Sequence, residues 1–342
     1  MIVRQAVETD QEGWDRYVLG HAQGSPFHLN AWRKSIEETF SYESKHVVAE
    51  TAGSITGVLP LFLVENFLVR KVLISSPFSV YGGILADSAE VREAIHNYVT
   101  ALAKSLRVEY VELRNAYTEQ CVGFANVPRY ITFTQDIGPD EEAILESIPR
   151  KTRRMVRKSL QQGLESRRQA TNFLAFEDLY SKNLRKLGTP SFPSKHFARL
   201  IANFGSMVEV YEVLHKDKVI AACMTFYFRD RVLPYYGASD PDYNSLAPNN
   251  FMYFDLMRWA GQNGYRVFDF GRSKKVSGSY DFKSHWGMQE RDLPYEMLLG
   301  RRKSLPNYSP ANPGFRLPIK VWQHLPLQFT RSVGPVLLRL VP

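Results

Sequence analysis

The sequence has 342 residues, of which 44% are hydrophobic and 23% charged, and its formal net charge is +8. This composition excludes an intrinsically disordered or collagen-like chain. No apolar run approaches the length of about 20 residues that a membrane-spanning helix requires, so we expect a soluble or peripheral protein. The length predicts two domains, and the positive charge favours an anionic partner such as a nucleotide, RNA or acidic lipid.

The cysteines and histidines show no disulfide or metal-binding pattern. Cys121 and Cys223 are far apart in the sequence, and the eight histidines are scattered without metal-ligand spacing. The first fifteen residues lack the apolar segment of a secretion signal. We therefore expect no metal site and a cytoplasmic location, where thiols stay reduced.

The first half of the chain predicts a unit of strand, loop, helix and strand. Residues 54–64 (SITGVLPLFLV) predict a turn followed by a buried strand, and residues 75–83 (SSPFSVYGG) have the composition of a loop. Apolar side chains at helical spacing predict a helix over 88–107 with Ser88 as its N-cap. Residues 108–115 (VEYVELRN) predict the strand that closes the unit.

The second half follows the same order. Residues 219–228 (VIAACMTFYF) predict a buried strand, and residues 233–240 (LPYYGASD) parallel the earlier glycine-containing segment. A helix follows, with Asn249 or Asn250 as its expected cap. Residues 267–273 (VFDFGRS) predict the closing strand.

The spacing of matching residues indicates a duplication. The separation in sequence between Tyr81 and Tyr236 is nearly the same as the separation between Glu112 and Asp269. Strand, glycine segment, helix and acidic strand thus recur in one order at nearly one spacing. A duplicated α/β module explains this recurrence.

Residues 148–168 (IPRKTRRMVRKSLQQGLESRR), between the two halves, are dense in cations. At helical spacing several of these cations share one face, while Ile148, Met155 and Leu160 lie roughly opposite. Guanidinium groups match the geometry of phosphate, so one interpretation is a phosphate-binding helix. The other is the solvated face of a connecting helix.

Lys283 lies in a cluster of ring-bearing residues, in the segment SGSYDFKSHWG (277–287). An ammonium held among rings but near polar groups can stabilise the oxyanion of an acyl-transfer reaction. Burial lowers the pKa of such a lysine, while a neighbouring carboxylate such as Asp269 or Asp281 raises it. The alternative is a structural lysine that pairs with Asp281 or stacks on Trp286.

Several common chemistries are excluded by missing motifs. Residues 269–271 read DFG, but the other protein-kinase motifs are absent. The sequence also lacks GxxxxGK[ST], GxSxG and HExxH, the motifs of P-loop enzymes, α/β-hydrolases and zinc proteases.

The segments YYGAS, FDFGRS and FKSHWG, together with the basic segment IPRKTRRMVRK, resemble the FemAB-type transferases. These are two-domain relatives of the GNAT acetyltransferases, and they attach amino acids to peptidoglycan precursors from aminoacyl-tRNA. The combination with SSPFSVYGG and LRKLGTPSF is most similar to FemAB-like proteins of exosortase (PEP-CTERM) gene neighbourhoods, which accompany exopolysaccharide production.

The resemblance implies an α/β (α+β) fold with two tandem GNAT-like domains. The expected divisions are an N-terminal domain, a basic inter-domain helix, a C-terminal domain and a proline-containing tail, over residues 1–147, 148–168, 169–300 and 301–342. It also implies an acyl or aminoacyl transferase that acts on a cell-envelope or exopolysaccharide precursor. The alternative, of another class, is a non-catalytic binding or scaffold protein of the polysaccharide export machinery.

Roles for individual residues follow from the resemblance and from the repeat. Lys283 matches the family lysine that stabilises the acyl-transfer transition state or the phosphates of the acceptor, and Asp269 or Glu112 is expected to orient the donor or accept a proton. The expected substrate-binding residues are Tyr81, Arg114, Arg153, Arg157, Tyr235, Tyr236, Arg272 and Trp286. Arg114 or Asn115 stands where some peptidoglycan-bridge enzymes carry an aspartate.

The resemblance further implies the co-substrates and partners. We expect no tightly bound cofactor and an acyl donor, either aminoacyl-tRNA or acyl-CoA, as co-substrate. The pyrophosphate loop Q/R-x-x-G-x-G/A of ordinary GNAT enzymes is absent, which counts against acetyl-CoA bound in the usual way. The expected acceptor is a phosphorylated glycan or lipid-linked precursor at the inner face of the membrane, and charged tRNA is a further candidate partner.

The tail adds one more hypothesis. Residues 317–342 contain prolines that break a long helix, together with apolar and cationic side chains, among them Trp322, Phe329, Arg331 and Arg339. One interpretation is peripheral contact with a membrane surface. The other is a tail packed back onto the second domain.

Overall fold

The computed structural model describes residues 1–117, 123–275, 277–306 and 316–340, so Cys121 lies outside the described residues. The chain forms two compact units. Unit 1 comprises Met1–Arg129, Leu293–Arg316 and Val336–Pro342, and unit 2 comprises Tyr130–Asp292 and Leu317–Pro335.

Both units are built from strands and helices. The strands are β1 (Ile2–Gln5), β2 (Glu43–Ser44), β3 (Val47–Thr51), β4 (Ser54–Leu59), β5 (Leu61–Asn66), β6 (Arg70–Ser75), β7 (Leu85–Ala86), β8 (Tyr110–Leu113), β9 (Ala125–Asn126), β10 (Tyr130–Asp136), β11 (Leu164–Gln169), β12 (Val208–His215), β13 (Lys218–Phe228), β14 (Arg231–Ser239), β15 (Val267–Lys274), β16 (Gln289–Leu293) and β17 (Glu296–Leu299). The helices are α1 (Gln11–Gly20), α2 (Asn30–Phe40), α3 (Ala89–Leu106), α4 (Glu141–Ser147), α5 (Arg150–Leu160), α6 (Leu174–Leu187), α7 (Ser194–Phe204), α8 (Pro248–Gln262), α9 (Gly278–Ser284), α10 (Arg316–His324) and α11 (Leu327–Leu338).

Unit 1 contains two sheets. One has the strand order β1-β3-β4-β7 and the other the order β2-β5-β6-β8-β17-β9. Helix α3 begins after Ser88, whose side chain accepts a hydrogen bond from the backbone N–H of Val91, as the sequence predicts. The apolar face of α3 is buried in the core of the unit through Val91, Ile95 and Val99.

One predicted turn in unit 1 is wrong. Gly57 lies inside strand β4, and the following proline separates β4 from β5. A Cβ atom at Gly57 would lie 2.6 Å from Val91 and 2.8 Å from Ile95. The glycine therefore permits α3 to approach the strand closely, and it does not form a turn.

Unit 2 contains one mixed sheet with the order β11-β12-β13-β14-β15-β10-β16. Helix α8 connects the parallel strands β14 and β15, as in a βαβ unit. Helix α8 begins at Pro248 after Ala247, so the expected cap at Asn249 or Asn250 is wrong. Asn249 instead donates a hydrogen bond from Nδ2 to Ser239 Oγ over 3.0 Å.

The two units divide the chain at other positions than the expected boundaries. Strand β10, which we expected in the first domain, lies between β15 and β16 in the sheet of unit 2, and β17 lies between β8 and β9 in unit 1.

The basic helix α5 ends at Leu160, and strand β11 follows it. The buried face of α5 consists of Thr152, Val156 and Ser159, while Leu160 is exposed.

The tail forms helices α10 and α11. Their inner faces pack on unit 2: Trp322 Nε1 donates to the carbonyl of Thr189 over 3.2 Å, and Arg331 forms an ion pair with Asp178 at 2.7 Å. Pro335 lies inside α11. Among the described residues, no helix is long and apolar enough to cross a membrane.

We expect Ser88→Ala to lower the free energy of unfolding of unit 1 by about 1 kcal/mol, because the first turn of α3 loses its side-chain cap. Urea unfolding monitored by circular dichroism measures this change. Ser88→Asp is the matched control, since an aspartate accepts the same hydrogen bond. Equal unfolding midpoints for Ser88→Ala and the unsubstituted protein would contradict the prediction.

Candidate functional site

The candidate site is a gap in the sheet of unit 2, between β14 and β15. The two parallel strands pair only at Arg231↔Val267 and Val232↔Phe268. Beyond these pairs β14 continues to Ser239 and β15 to Lys274 without further pairing to each other. The strands therefore part toward their carboxyl ends, which is where ligands bind in many α/β sheets.

A β-bulge in β14 lies at the level of this gap. Met224 of β13 pairs with Tyr236 and Thr225 pairs with Pro234, so Tyr235 is the extra residue. Pro234 has no N–H to donate to a strand ladder, and prolines in sheets occur at bulges for that reason. The bulge turns the backbone of β14 at the point where it leaves β15.

A second bulge lies in β15. Thr132 of β10 pairs with Arg272 and Thr134 pairs with Asp269, so Phe270 and Gly271 together face one residue of β10. Gly271 has a φ of 63°, a conformation that favours glycine. The carboxylate of Asp269, which is buried, accepts hydrogen bonds from Gly271 N over 2.7 Å and from Thr132 Oγ1 over 3.2 Å.

Lys283, on helix α9, donates hydrogen bonds to the backbone of this bulge. The helix is capped by Ser277, whose Oγ accepts a hydrogen bond from Tyr280 N. The ammonium of Lys283 donates to the carbonyl oxygens of Phe270, Gly271 and Arg272, the last two over 3.2 and 3.1 Å.

The charge of Lys283 is sensitive to its surroundings. The pKa of Lys283 is lowered to about 8, chiefly by burial; the Asp269 carboxylate opposes this shift and the Arg272 guanidinium contributes to it. Three carbonyl acceptors match the three N–H bonds of an ammonium, so the structure directs this cation at backbone oxygens.

The rings around Lys283 form a packed cluster. Trp286 is fully buried and lies with its ring centroid 5.7 Å from that of Phe270, while Tyr253 and Phe282 pack against the same cluster. Trp286, which we expected to bind substrate, therefore lies in the core and packs against Phe270 of the bulge. The Lys283 nitrogen lies 5.9 Å from the centroid of the Phe270 ring.

The predicted residues Tyr235, Tyr236 and Arg272 lie on the two strands that border the gap. Tyr236 is buried, its hydroxyl lies 3.1 Å from His196 Nε2, and burial raises its pKa well above the ordinary value. Tyr235 is less buried and contacts the Tyr236 ring edge-on. The guanidinium of Arg272 stacks on the ring of Tyr130 at 4.6 Å.

Helix α5 lies beneath the FKSHWG segment. Thr152 Oγ1 donates to the carbonyl of His285 over 2.7 Å, which ties the helix to the segment. Of the two predicted phosphate ligands on α5, Arg153 is partly buried and Arg157 is exposed. Arg157 lies 3.7 Å from Glu142, a distance typical of a weak surface ion pair.

Three predicted residues lie in unit 1, around a buried loop. Arg114 Nε donates to Glu112 Oε1 over 2.8 Å, and Arg114 Nη1 donates to the carbonyls of Ser76 and Ser79. Arg114 is 4% exposed, and Tyr81 is also buried. Glu112, which we expected to orient the donor or accept a proton, thus forms an ion pair with Arg114, which we expected to bind substrate.

The sequence did not reveal the hydrogen-bond partners of Asp269 and Tyr236, which are Thr132 and His196. Thr132 comes from a strand far from Asp269 in the chain, and His196 comes from α7. Pro234 within an apolar strand was the available signal for the bulge in β14. No group of three or more potential metal ligands was found among the residues that the structure describes.

Comparison with known proteins agrees with this fold. The family model of the acetyltransferase (GNAT) domain matches residues 149–284, which confirms the predicted GNAT-type acyltransferase domain. The solved structure of FemX is similar with a TM-score of 0.72, at 14% identity, and covers 93% of this chain and 99% of that chain. A tandem GNAT protein from the clavulanic acid biosynthesis pathway has a TM-score of 0.55 at 9% identity, covering 90% and 99%.

The chain therefore has the predicted tandem GNAT-like fold. A short segment also resembles the lipid II:glycine glycyltransferase of Staphylococcus epidermidis, with 36% identity over 59 residues. This segment covers 15% of the chain and 14% of that relative. The similarity to FemX thus extends over most of the fold, whereas the segment similar to the glycyltransferase covers a small part of the chain.

Unfolding in acid should depend on His196. Burial lowers its pKa from 6.5 to about 3, so below pH 6.5 the unfolded chain binds a proton that the folded chain does not. The free energy of unfolding should therefore fall by about 1.4 kcal/mol per pH unit from this residue as the pH drops from 6.5 toward 4. Chemical unfolding at several pH values measures the slope.

His196→Gln should reduce that slope by one proton relative to the unsubstituted protein. Comparing slopes separates the titration from any overall loss of stability. The same slope in His196→Gln as in the unsubstituted protein would refute the assignment.

Proposed function

We propose that the protein is a GNAT-type acyl or aminoacyl transferase whose reaction takes place in the gap between β14 and β15 of unit 2. The amine of an acceptor attacks the carbonyl carbon of an activated donor and forms a tetrahedral oxyanion. The C–S bond of a thioester or the C–O bond of an aminoacyl ester then breaks, an amide forms, and the amine proton leaves with the departing thiol or hydroxyl group.

The observation that carries this proposal is the parting of two parallel strands at their carboxyl ends, with a bulge in each. Strands that part leave room for an extended donor and present backbone N–H groups to it. Fixed N–H donors stabilise an oxyanion without the cost of reorganisation, and this effect is among the largest in acyl transfer. The GNAT family model covers this part of the chain, which supports the same reaction class.

In this proposal Lys283 is a positioning residue. Its ammonium holds the carbonyls of Phe270, Gly271 and Arg272, so the backbone of β15 keeps the shape that separates it from β14. The buried carboxylate of Asp269 fixes the same bulge through Gly271 N. The proton of the acceptor amine is then removed either by a group of the bound donor or acceptor, or by Tyr235 at the border of the gap.

We further propose that the acceptor is an amine on a cell-envelope or exopolysaccharide precursor, either a phosphorylated glycan or a lipid-linked molecule. The similarity to FemX and to a lipid II:glycine glycyltransferase supports this class. The partly buried Arg153 and the exposed Arg157 on α5 supply charges of the sign that phosphates require. The donor is an acyl-CoA or an aminoacyl-tRNA.

The donor and the reaction are tested together. Purified protein is incubated with a panel of CoA thioesters or with charged tRNA, and with amine acceptors that carry a phosphorylated glycan. Mass spectrometry then detects the acylated product. Transfer from one donor class identifies it, whereas acceptor binding without transfer from either class would support the non-catalytic binding protein and overturn the proposal.

Lys283→Met should lower kcat by about 100-fold, because the loss of the ammonium leaves three carbonyls of β15 without their donor and disturbs the oxyanion contacts. Steady-state kinetics with the identified donor and acceptor measures the change. Lys275→Met is the matched control: this exposed lysine in the same segment pairs with Asp292, and its loss should leave kcat unchanged.

The stability of both variants is measured by thermal unfolding, so that a loss of fold is distinguished from a loss of positioning. Thr132→Val, which removes one donor to Asp269, is a milder second test and should lower kcat by a smaller factor. An unchanged kcat in folded Lys283→Met would show that the bulge does not position the reacting groups.

A further inference from the structure

The hairpin of β5 and β6 in unit 1 presents two apolar side chains to solvent. Phe67 is 83% exposed and Leu68 is 42% exposed, while the next residue, Val69, is buried. A large ring that is almost fully exposed loses the favourable free energy of burial. An exposed position of this kind marks an interaction surface when further apolar residues and charges surround it.

The turn holds Phe67 outward rigidly. Asn66 Oδ1 accepts hydrogen bonds from the backbone N–H groups of Leu68 and Val69, over 2.9 and 3.0 Å. The side-chain amide thus closes the turn on itself, an arrangement that asparagine favours. The position of Phe67 is fixed by these bonds and by the burial of Val69.

The end of the tail lies beside this hairpin within unit 1. Asn66 Nδ2 donates to the carbonyl of Leu340 over 3.2 Å, and Tyr42 Oη donates to the carbonyl of Arg339 over 2.8 Å. These contacts bring the end of α11 beside the hairpin, where Val336, which is 64% exposed, lines a groove together with Glu65 and Asn66. We call Phe67 and Leu68 the apolar tip.

Cations surround the turn end of the same hairpin. A groove of about 400 Å³ lies there, lined by four cations and two carboxylates together with two other residues: Arg70, Lys71, Arg107, Arg301, Glu65, Glu109, Asn66 and Leu106. Glu65 and Glu109 each lie 3.4 Å from a hairpin cation, so the groove keeps an excess of positive charge. The exposed Arg339 adds a further cation at the end of the tail.

We propose that the apolar tip and the cationic groove dock the protein on an anionic lipid bilayer. Phe67 and Leu68 would enter the interfacial region of the bilayer, and the groove would receive a phosphate headgroup. A bilayer accepts a protruding ring at any point, whereas a protein partner needs a matching pocket and a larger contact area. The inference concerns unit 1 and does not depend on the proposed acyl transfer.

Vesicle flotation of the full-length protein tests this surface. Vesicles of phosphatidylcholine with about 30% phosphatidylglycerol are compared with vesicles of pure phosphatidylcholine. We expect binding to the anionic vesicles, weakened at high salt, and about tenfold weaker binding for the double variant Phe67→Ser/Leu68→Ser.

Leu174→Ser is the matched control, because Leu174 is 69% exposed but lies in unit 2, and it should bind as the unsubstituted protein does. Arg70→Gln should weaken binding to anionic vesicles only. No binding of the unsubstituted protein to either vesicle overturns the proposal, as does equal binding of the double variant. An equal loss of vesicle binding in Leu174→Ser and in the double variant would also overturn the proposal, because binding would then not depend specifically on the apolar tip.

Discussion

A bulge leaves backbone carbonyls of a strand without partners in the sheet. In the bulge of β15 in unit 2, the ammonium of Lys283 donates hydrogen bonds to three carbonyls. Phe270, Gly271 and Arg272 direct their carbonyl oxygens at one cation, which donates to all three. Unpaired carbonyls at a partly buried site would cost free energy, so the lysine stabilises a backbone shape that the sheet alone would not keep. β14 and β15 part beside this bulge.

Unit 1 also contains a pair of parallel strands, but the space beside that pair is filled differently. Its parallel strands β6 and β8 also pair at only two positions, Leu73↔Val111 and Ile74↔Glu112. There a buried loop follows β6, and Arg114 holds the loop through the carbonyls of Ser76 and Ser79. In each unit a cation satisfies carbonyls beside the parallel pair, but the loop around Arg114 is buried, whereas β14 and β15 part over most of their length.

Elements defined by local patterns could be predicted from the sequence. The cap at Ser88 and the amphipathic pattern of α3 are local, and both were confirmed by the structure. Lys283 stands out in the sequence because large rings surround it, and those rings do form one cluster. The acceptors of its ammonium could not be predicted, because they depend on the bulge at Gly271 and on the register between β10 and β15.

The exposure of Phe67 could not be predicted for a similar reason. Residues 61–69 read LFLVENFLV, in which Glu65 and Asn66 separate two apolar runs, and no pattern marks the second run as exposed. The exposure of Phe67 follows from the turn that Asn66 closes, and this turn depends on two backbone hydrogen bonds rather than on hydrophobic pattern. Arg114 was expected at a ligand, and its burial against Glu112 depends on the path of the loop that contains Tyr81.

The strand that fixes the candidate site lies outside the segment that the GNAT family model matches. Strand β15 pairs with β14 at two positions but with β10 along most of its length. Because β10 spans Tyr130–Asp136 and the matched segment begins at residue 149, the register of β15 is set by residues that precede that segment. The hydroxyl of Thr132 on β10 also reaches the carboxylate of Asp269. The unit that contains the candidate site therefore begins before the matched segment, and long-range strand pairing, which no local pattern reveals, determines where it begins.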